Sequence, residues 1–146
     1  MIKYLILSIL LILSLEAESL KDIKFKDAVV SEITSIYDGD TFRANIEDYP
    51  TIIGYRMAIR VNGIDTPEIK GKCTKEKALA REAKQFTVKM LRNAKVIELR
   101  NLQRGKYFRI VADVFTDNKS LADELIKNNL AVRYYGKTKI KDWCKE

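Results

Sequence analysis

The chain has 146 residues, which suits a single domain, and 47% of them are hydrophobic, enough for a core. Its net charge of +7 favours an anionic partner such as nucleic acid or an acidic membrane surface, although a basic surface that only aids solubility gives the same charge. The absence of histidine excludes Ser-His-Asp triads, Cys-His pairs, His-ligated zinc and a histidine base. A hydrolase of this composition would therefore use a carboxylate base, and a metal site would bind a hard ion such as Ca²⁺ or Mg²⁺ through oxygen ligands.

The N-terminus is predicted to be a signal peptide that covers residues 1–19. Lys3 supplies a positive charge, the 12 residues from Tyr4 to Leu15 form an apolar stretch, and small residues follow at Ala17 and Ser19. The apolar stretch is shorter than the ~20 residues that span a bilayer, but it has the length of a signal-peptide core. We therefore expect an exported protein, periplasmic or secreted, whose mature domain is 20–146. An uncleaved N-terminus would instead leave the protein tethered to the membrane.

Five strands are predicted in the mature chain from alternating or β-branched residues. They cover residues 25–39, 41–46, 55–63, 95–101 and 107–115. The end of the first run and the residue after it, Y-D-G-D at 37–40, predict a hairpin turn to the second, because Asp-Gly tolerates positive φ angles.

Two helices complete the predicted elements, one after the third strand and one after the fifth. The long one runs over Thr74 to Asn93, with Thr74 as its N-cap and with one helical stripe formed by Leu79, Ala83, Phe86 and Met90. Ser120 is predicted to cap the shorter one. This order of elements predicts an α+β fold that is mainly β, a five-stranded OB-fold barrel with two to three helices packed beside it.

The chain contains two cysteines, Cys73 and Cys144. An exported protein meets an oxidising compartment, where an even number of cysteines suggests a disulfide. Such a bridge would close a loop of half the mature chain and would add about 4 kcal/mol of stability in the chain-entropy model.

Acidic side chains lie where two of the predicted strands are interrupted. Asp40 ends the first hairpin turn and Asp65 ends the third strand. Two carboxylates from separate loops can share a hard cation, with a backbone carbonyl and waters as further ligands. Pro67 fixes its own φ and favours an extended Thr66, which stiffens the placement of Asp65 and of Glu68, a candidate to orient or deprotonate a water molecule.

Arginines supply the other requirement of phosphodiester cleavage, neutralisation of charge in the transition state. Arg60 and Arg109 can bind phosphate oxygens, because the guanidinium fork matches their geometry. Each motif alone is more often structural. D-G-D-T and D-T-P-E are usually turns, a strand arginine is usually a salt-bridge partner, and the pair Tyr134 and Tyr135 more often packs than stacks on bases.

The motifs in their joint order resemble the staphylococcal nuclease (thermonuclease) family. D-G-D-T at 38–41, R-x(4)-D-T-P-E at 60–68 and K-Y-x-R at 106–109 carry the resemblance, which runs from about Val29 to Tyr135. It implies an OB barrel and a Ca²⁺-dependent endonuclease of the micrococcal nuclease type. Such an enzyme would be a monomer that cleaves the 5′-O–P bond of DNA and RNA, with single strands preferred, and leaves 3′-phosphates.

The resemblance also implies a role for each matching residue. The metal ligands would be Asp40, Asp65 and the carbonyl of Thr66. The catalytic residues would be Arg60, Glu68 and Arg109, with Glu68 as the general base or as the group that positions the water. The substrate-binding residues would be Lys106, Tyr107 and Tyr135.

The sequence departs from the family pattern at two places. Phe108 replaces the glycine of K-Y-G-R and can shift Arg109, and Gly136 and Lys137 stand where a second tail tyrosine is expected. The alternative function is therefore a catalytically inactive nuclease-like module that binds nucleic acid. A third alternative, a basic structural protein of the cell surface, does not account for the acidic residues.

Overall fold

The computed structural model describes residues 25–136 and 138–145. The predicted signal peptide, residues 1–19, lies outside this part of the chain, so its presence and cleavage stay predictions. Within the described ranges, no helix is both long enough and apolar enough to cross a membrane.

Five strands close into a barrel, which confirms the predicted fold class. The described part of the chain has eight strands, of which five form the barrel: β1 (Ala28–Ile36), β2 (Thr41–Ile46), β3 (Met57–Val61), β4 (Ile64–Asp65), β5 (Ile97–Arg104), β6 (Arg109–Thr116), β7 (Lys119–Ser120) and β8 (Val132–Arg133). The barrel order is β3-β2-β1-β5-β6, and a parallel pairing of β3 with β6 closes it, with Ile59 opposite Ile110. The short strands β4 and β8 pair separately with each other.

The interior of the barrel follows from the alternation of side chains along its strands. On β2 and β3 every second residue is buried, and these residues are Phe42, Ala44, Ile46, Met57, Ile59 and Val61. Residues between them, such as Arg43 and Arg60, point away from the core. The alternation that fills the barrel therefore also places Arg60 on its outer face.

Two strand boundaries differ from the prediction because of backbone conformation. Strand β5 continues to Arg104 through an irregularity in its pairing with β6, where Asn101 has a positive φ of 51°. Strand β6 begins only at Arg109, because Tyr107 and Phe108 have φ angles of 58° and 51° and form the turn. Two successive left-handed residues turn the chain rather than continue a strand, whereas the single one at Asn101 is accommodated as an irregularity within β5. The residue types at 107 and 108 gave no sign of this turn.

Three helices pack beside the barrel: α1 (Thr51–Gly54), α2 (Thr74–Asn93) and α3 (Leu121–Lys127). The bounds of α2 agree with the prediction, but its predicted stripe does not. Its buried residues are Glu76, Ala80, Ala83, Thr87 and Leu91, whereas Leu79, Phe86 and Met90 are only partly buried. The face of small residues permits close approach to the β1–β2 turn, where the Thr87 hydroxyl donates to the Gly39 carbonyl at 2.7 Å.

The helix caps and the disulfide are linked. The N-cap of α2 is Cys73 rather than Thr74, and its sulfur accepts a hydrogen bond from the Glu76 amide. Cys73 also forms a disulfide with Cys144, as predicted. The bridge attaches the C-terminal tail, with its buried Trp143, to the start of α2. Ser120 caps α3 by accepting from the Asp123 amide, which confirms that prediction.

Candidate active site

The β1–β2 turn brings Asp40 against the start of a second loop. The Tyr37 amide donates to the Thr41 carbonyl at 2.9 Å and the Asp40 amide donates to Asp38 Oδ1 at 3.1 Å. A Cβ at Gly39 would lie 2.9 Å from Ala83 Cβ and 2.9 Å from Thr66 Cγ2. Glycine is thus required here for close approach. The positive φ predicted for it is wrong, because among the described glycines only those at 63 and 136 have one.

Asp40 is buried and hydrogen-bonded on both carboxylate oxygens. Oδ1 accepts from Thr41 Oγ1 at 2.8 Å and from Arg60 Nη1 at 2.5 Å, and Oδ2 accepts from the Thr66 amide at 3.2 Å. Burial raises the pKa of Asp40 above its usual value, the charge of Asp65 adds to this effect, and Arg60, Thr41 and Thr66 oppose it. Two predicted metal ligands, Asp40 and Asp65, are therefore close enough to sense each other's charge.

Asp65 and Thr66 are held by the pairing of β4 with β8, in which Asp65 lies opposite Val132. Both are buried, and Pro67 beside them is almost fully buried. Asp65 Oδ1 is an ion-pair partner of Arg60 Nη2 at 3.6 Å and of Lys139 Nζ at 2.8 Å, but it accepts no well-directed hydrogen bond from the described chain. The predicted proximity of Asp40, Asp65 and Thr66 is present in the structure.

These residues fit a hard divalent cation by the chemistry of their donors. The carboxylates of Asp40 and Asp65 offer oxygen atoms alone, one of which lacks a hydrogen bond, and Ca²⁺ prefers such ligands. A second group of metal-ligand residue types, Cys73, Glu76 and Cys144, does not fit an ion. Its two sulfurs are joined in the disulfide and offer no thiolate.

Glu76, which was not predicted to belong to the site, supports the loop that carries Glu68. Its buried carboxylate accepts from the Glu68 amide at 3.3 Å and from the Lys72 amide at 2.8 Å. Gly71 packs so closely on this carboxylate that a Cβ would overlap it. The backbone of Glu68 is thus fixed from α2, and the first-turn position of Glu76 was the only signal for this role.

Glu68 itself contacts a lysine from the C-terminal tail. Its Oε1 accepts from Lys139 Nζ at 2.7 Å, and the same ammonium group lies 2.8 Å from Asp65 Oδ1. Burial alone would lower the pKa of Lys139, but the Asp65 and Glu68 carboxylates beside it outweigh this effect and raise that pKa above its ordinary value. A cation therefore already occupies the space between these two carboxylates. Sequence reasoning missed Lys139, because nothing in the basic tail distinguishes it from its neighbours.

Asp38 is a further acid that sequence reasoning left out of the site. It is 5% exposed, and burial, followed by the charge of Asp40, raises its pKa to about 7. The charge of Glu68 contributes in the same direction. Its signal was present in D-G-D-T, whose first acid we had assigned only to the turn.

Residues that were predicted to bind phosphate or the nucleotide meet in a neighbouring cavity of about 520 Å³, here called the phosphate cavity. Arg60, Lys106, Arg109 and Tyr135 line it, as predicted for one site. Arg109 Nε is buried and has no hydrogen-bond partner in the described ranges. Tyr107 does not line the cavity. It is 88% exposed, and its ring centre lies 6.0 Å from the Arg109 guanidinium carbon.

The chain is similar to one protein family and to two proteins whose names are those of nucleases. The family model described as "Staphylococcal nuclease homologue" matches residues 58–144, more than half of the chain. The protein named "Thermonuclease" from Staphylococcus hyicus is 29% identical over 101 residues, which cover 68% of this chain and 56% of that protein. "Probable endonuclease LCL3" from Phaeosphaeria nodorum is 28% identical over 99 residues, which cover 64% of this chain and 33% of that protein.

The matches are partial in two respects. The chain spans about half the length of the first of these relatives and about a third of the second. The family match begins after Asp40, so that one predicted metal ligand precedes it. The other predicted site residues fall within the match: Arg60, Asp65, Thr66, Glu68, Lys106, Tyr107, Arg109 and Tyr135.

Proposed function

Because this chain belongs to the staphylococcal nuclease family, we propose that it is a Ca²⁺-dependent endonuclease that hydrolyses phosphodiester bonds of DNA and RNA. It cleaves the 5′-O–P bond and leaves 3′-phosphates. The observation that carries the proposal is the position of Arg60 between the predicted metal ligands and the phosphate cavity. Its guanidinium contacts the buried carboxylates of Asp40 and Asp65 and also lines the phosphate cavity with Arg109.

Asp40 and Asp65, with the carbonyl of Thr66, would hold the cation. Bound there, Ca²⁺ would supply positive charge beside the phosphate and a position for the attacking water. The oxygen ligands support a hard divalent cation in general. The choice of Ca²⁺ among such cations rests on the family resemblance.

Arg60 and Arg109 bind the phosphate and stabilise the charge that grows on it in the transition state. Arg60 is oriented for this by Asp40 and by the Ile64 carbonyl, to which Nη2 donates at 3.3 Å. Arg109 has a buried Nε–H that no described group accepts, which supports its availability to a phosphate oxygen. Lys106 and Tyr135 contact the nucleotide at the rim of the phosphate cavity, and Tyr107 contacts it from outside.

Glu68 takes a proton from the attacking water or positions that water. Its backbone is fixed by Glu76, while its side chain is about half exposed and can turn. In the present arrangement Lys139 binds this carboxylate. Lys139 holds Oε1, so Oε2, or Oε1 once Lys139 is released, would accept the proton or the water hydrogen bond.

The decisive experiment is a cleavage assay switched by calcium. The mature protein is incubated with single-stranded DNA and with RNA, in CaCl₂ or in chelator, and the product ends are identified. We expect cleavage only with calcium and 3′-phosphate ends, and Glu68→Gln as control should lose most of the rate. Equal cleavage in both conditions, or no cleavage with calcium, would overturn the proposal.

The second candidate, a module that binds nucleic acid without cleaving it, has one specific observation in its favour. Lys139 forms ion pairs with both Asp65 and Glu68, two groups that the reaction needs. Under this alternative, single-stranded DNA binds with an affinity that falls with salt, and calcium produces no cleavage. The same assay, with binding measured in parallel, separates the two functions.

Export is the remaining part of the proposal. We propose that residues 1–19 are removed and that 20–146 act as a monomer outside the cytoplasm. N-terminal sequencing of the mature protein tests the cleavage, and an intact Met1 would show that the protein stays anchored or is not processed.

A further inference from the structure

A second cavity, of about 320 Å³ and here called the apolar cavity, adjoins the phosphate cavity. Gln103 and Arg109 line both. Most of the other lining comes from apolar or aromatic side chains of the β2–β3 connection and of β5 and its turn, among them Tyr49, Ile53, Met57, Leu102 and Phe108. A strand whose phosphate lies on Arg109 would thus have a neighbouring nucleotide beside an apolar pocket.

Phe108 stands at this cavity in a conformation that phenylalanine rarely adopts. Its φ is 51°, in the left-handed region where a bulky side chain is an outlier. Glycine would fit this turn without strain. Residues held in such conformations persist where the surroundings enforce them, and they concentrate at functional sites.

Packing inside the protein does not explain Phe108 either. Its side chain is 57% exposed, so most of the ring is not part of the core. The ring contacts Arg104, whose guanidinium carbon lies 5.0 Å from the ring centre. Core packing therefore does not account for a phenylalanine in this conformation, and its exposed ring is available to contact a ligand.

The chemistry of the cavity matches a nucleobase. Bases of single strands stack on aromatic rings and on arginine planes, and both are present in Phe108 and Arg104. Arg104 and Arg109 bring positive charge to the cavity, which suits a ligand attached to phosphates. Asp48 is the one carboxylate in the lining and can accept hydrogen bonds from the N–H groups of a base edge.

We propose that the apolar cavity binds a nucleobase of the substrate strand, adjacent to the nucleotide whose phosphate lies on Arg109, with Phe108 as the stacking surface. The inference rests on the proposed function and adds a base subsite to it. It also assigns a purpose to the replacement of glycine at 108. Phenylalanine strains the backbone of the turn, but it gives single-stranded substrate an aromatic ring to stack on.

The test is the variant Phe108→Gly, in which strain and stacking change in opposite directions. Urea unfolding should show equal or greater stability, because glycine adopts this φ freely. Single-stranded oligonucleotides should bind about 5- to 150-fold more weakly, the range for loss of one aromatic stacking surface. Phe108→Tyr keeps an aromatic face and should retain binding. Tyr55→Ala removes a similarly exposed ring that does not line the cavity and should bind as the parent does.

The position of the base is found with oligonucleotides that lack one base at successive sites. Binding is measured in calcium on Glu68→Gln protein, which blocks cleavage, with and without Phe108→Gly. At one position the missing base should weaken binding to the parent by a similar factor, and in the Phe108→Gly protein that penalty should disappear.

Two results would overturn the inference. One is a Phe108→Gly protein that binds as tightly as the parent, as expected if another part of the chain or a lipid chain fills the cavity. The other is a loss of stability in that variant, which would make Phe108 a packing residue. Failure of the proposed function is seen separately, as absence of calcium-dependent cleavage by the unmodified protein. If the protein cleaves with calcium but the penalty for a missing base does not depend on Phe108, only the base subsite is rejected.

Discussion

The acidic half of the site and its aromatic half are held in opposite ways. Asp40, Asp65 and Thr66 are buried, and strands β3 and β4 and the turn before β2 fix them. Tyr107 and Phe108 are exposed and lie in a turn with two successive left-handed residues. Groups that neutralise charge lose their effect when they move, whereas a surface that stacks on any base needs only exposure. An enzyme without base specificity requires both: charged groups held in fixed positions, and beside them a surface on which any base can stack.

The two arginines test the acidic half most severely. Arg60→Met and Arg109→Met should each reduce kcat/KM about 10²- to 10³-fold, because each removes a contact to the transition state. Arg60→Met should in addition cost roughly 3–5 kcal/mol of unfolding free energy, since it leaves the buried Asp40 carboxylate without its ion-pair partner. Cleavage kinetics and urea unfolding measure the two effects.

Arg109→Met is the matched control for stability. Arg109 Nε has no hydrogen-bond partner among residues 25–136 and 138–145, so this variant should change the unfolding free energy by less than about 1 kcal/mol. Equal stability losses in the two variants would mean that the Arg60–Asp40 pair does not brace the acidic half.

Removal of the disulfide tests whether attachment of the C-terminal tail to α2 supports the acidic half of the site. Cys73→Ser with Cys144→Ser removes a bridge between residues 71 positions apart and should lower the unfolding free energy by about 4 kcal/mol in the chain-entropy model. Activity at low temperature should persist, because neither sulfur lies among the predicted site residues. Denaturant unfolding with and without reductant gives the measurement. A reductant effect on the double variant would point to a cause other than this bridge.

Lys139 tests the same half with a smaller effect. Its ammonium competes with the proposed cation for Asp65. The lysine end of this ion pair is partly exposed, and solvent-exposed ion pairs contribute about 0.2–1 kcal/mol. Lys139→Met should therefore lower the calcium concentration for half-maximal cleavage by up to about fivefold. Lys141→Met is the control, because Lys141 is in the same tail but contacts the Trp143 ring. A calcium requirement that rises in Lys139→Met would make Lys139 a support for the site.

Sequence patterns predicted most of this arrangement where one local rule decides the outcome. Alternation in β2 and β3 located the core and, with it, the outward Arg60. The motif order located Asp65 and Arg109. The contacts of Lys139 and the loop-bracing by Glu76 depend on where the tail and α2 meet the acidic loop, and no local spacing encodes that. The left-handed Phe108 was missed because its residue type argues against the conformation it adopts.

A second turn with two left-handed residues sharpens the contrast with Tyr107 and Phe108. Asp117 and Asn118 join β6 to β7 with φ angles of 47° and 65°, and both residue types tolerate this region. The Asp117 carboxylate accepts from the Val96 amide at 2.9 Å and from the Lys95 amide at 3.0 Å. These hydrogen bonds lower the pKa of Asp117 below its usual value. A side chain thus stabilises this turn, whereas the turn of the aromatic half is closed by a backbone hydrogen bond from the Gly105 amide to the Arg109 carbonyl at 2.8 Å.

Asp117→Asn should therefore have a small, pH-dependent effect on stability and none on cleavage. A pKa that is lower in the folded protein stabilises it fully above the unfolded value, about 4, and this contribution disappears as the pH falls through the folded value. The variant should be slightly less stable than the parent at neutral pH, and the difference should shrink in acid. Asp117→Ala also removes the acceptor, and alanine lacks the freedom of glycine at this φ, so its deficit should remain in acid. Unfolding curves from neutral pH down to about pH 3 measure this, and parallel curves for Asp117→Asn and the parent would show that the hydrogen bonds, rather than the charge, stabilise the turn.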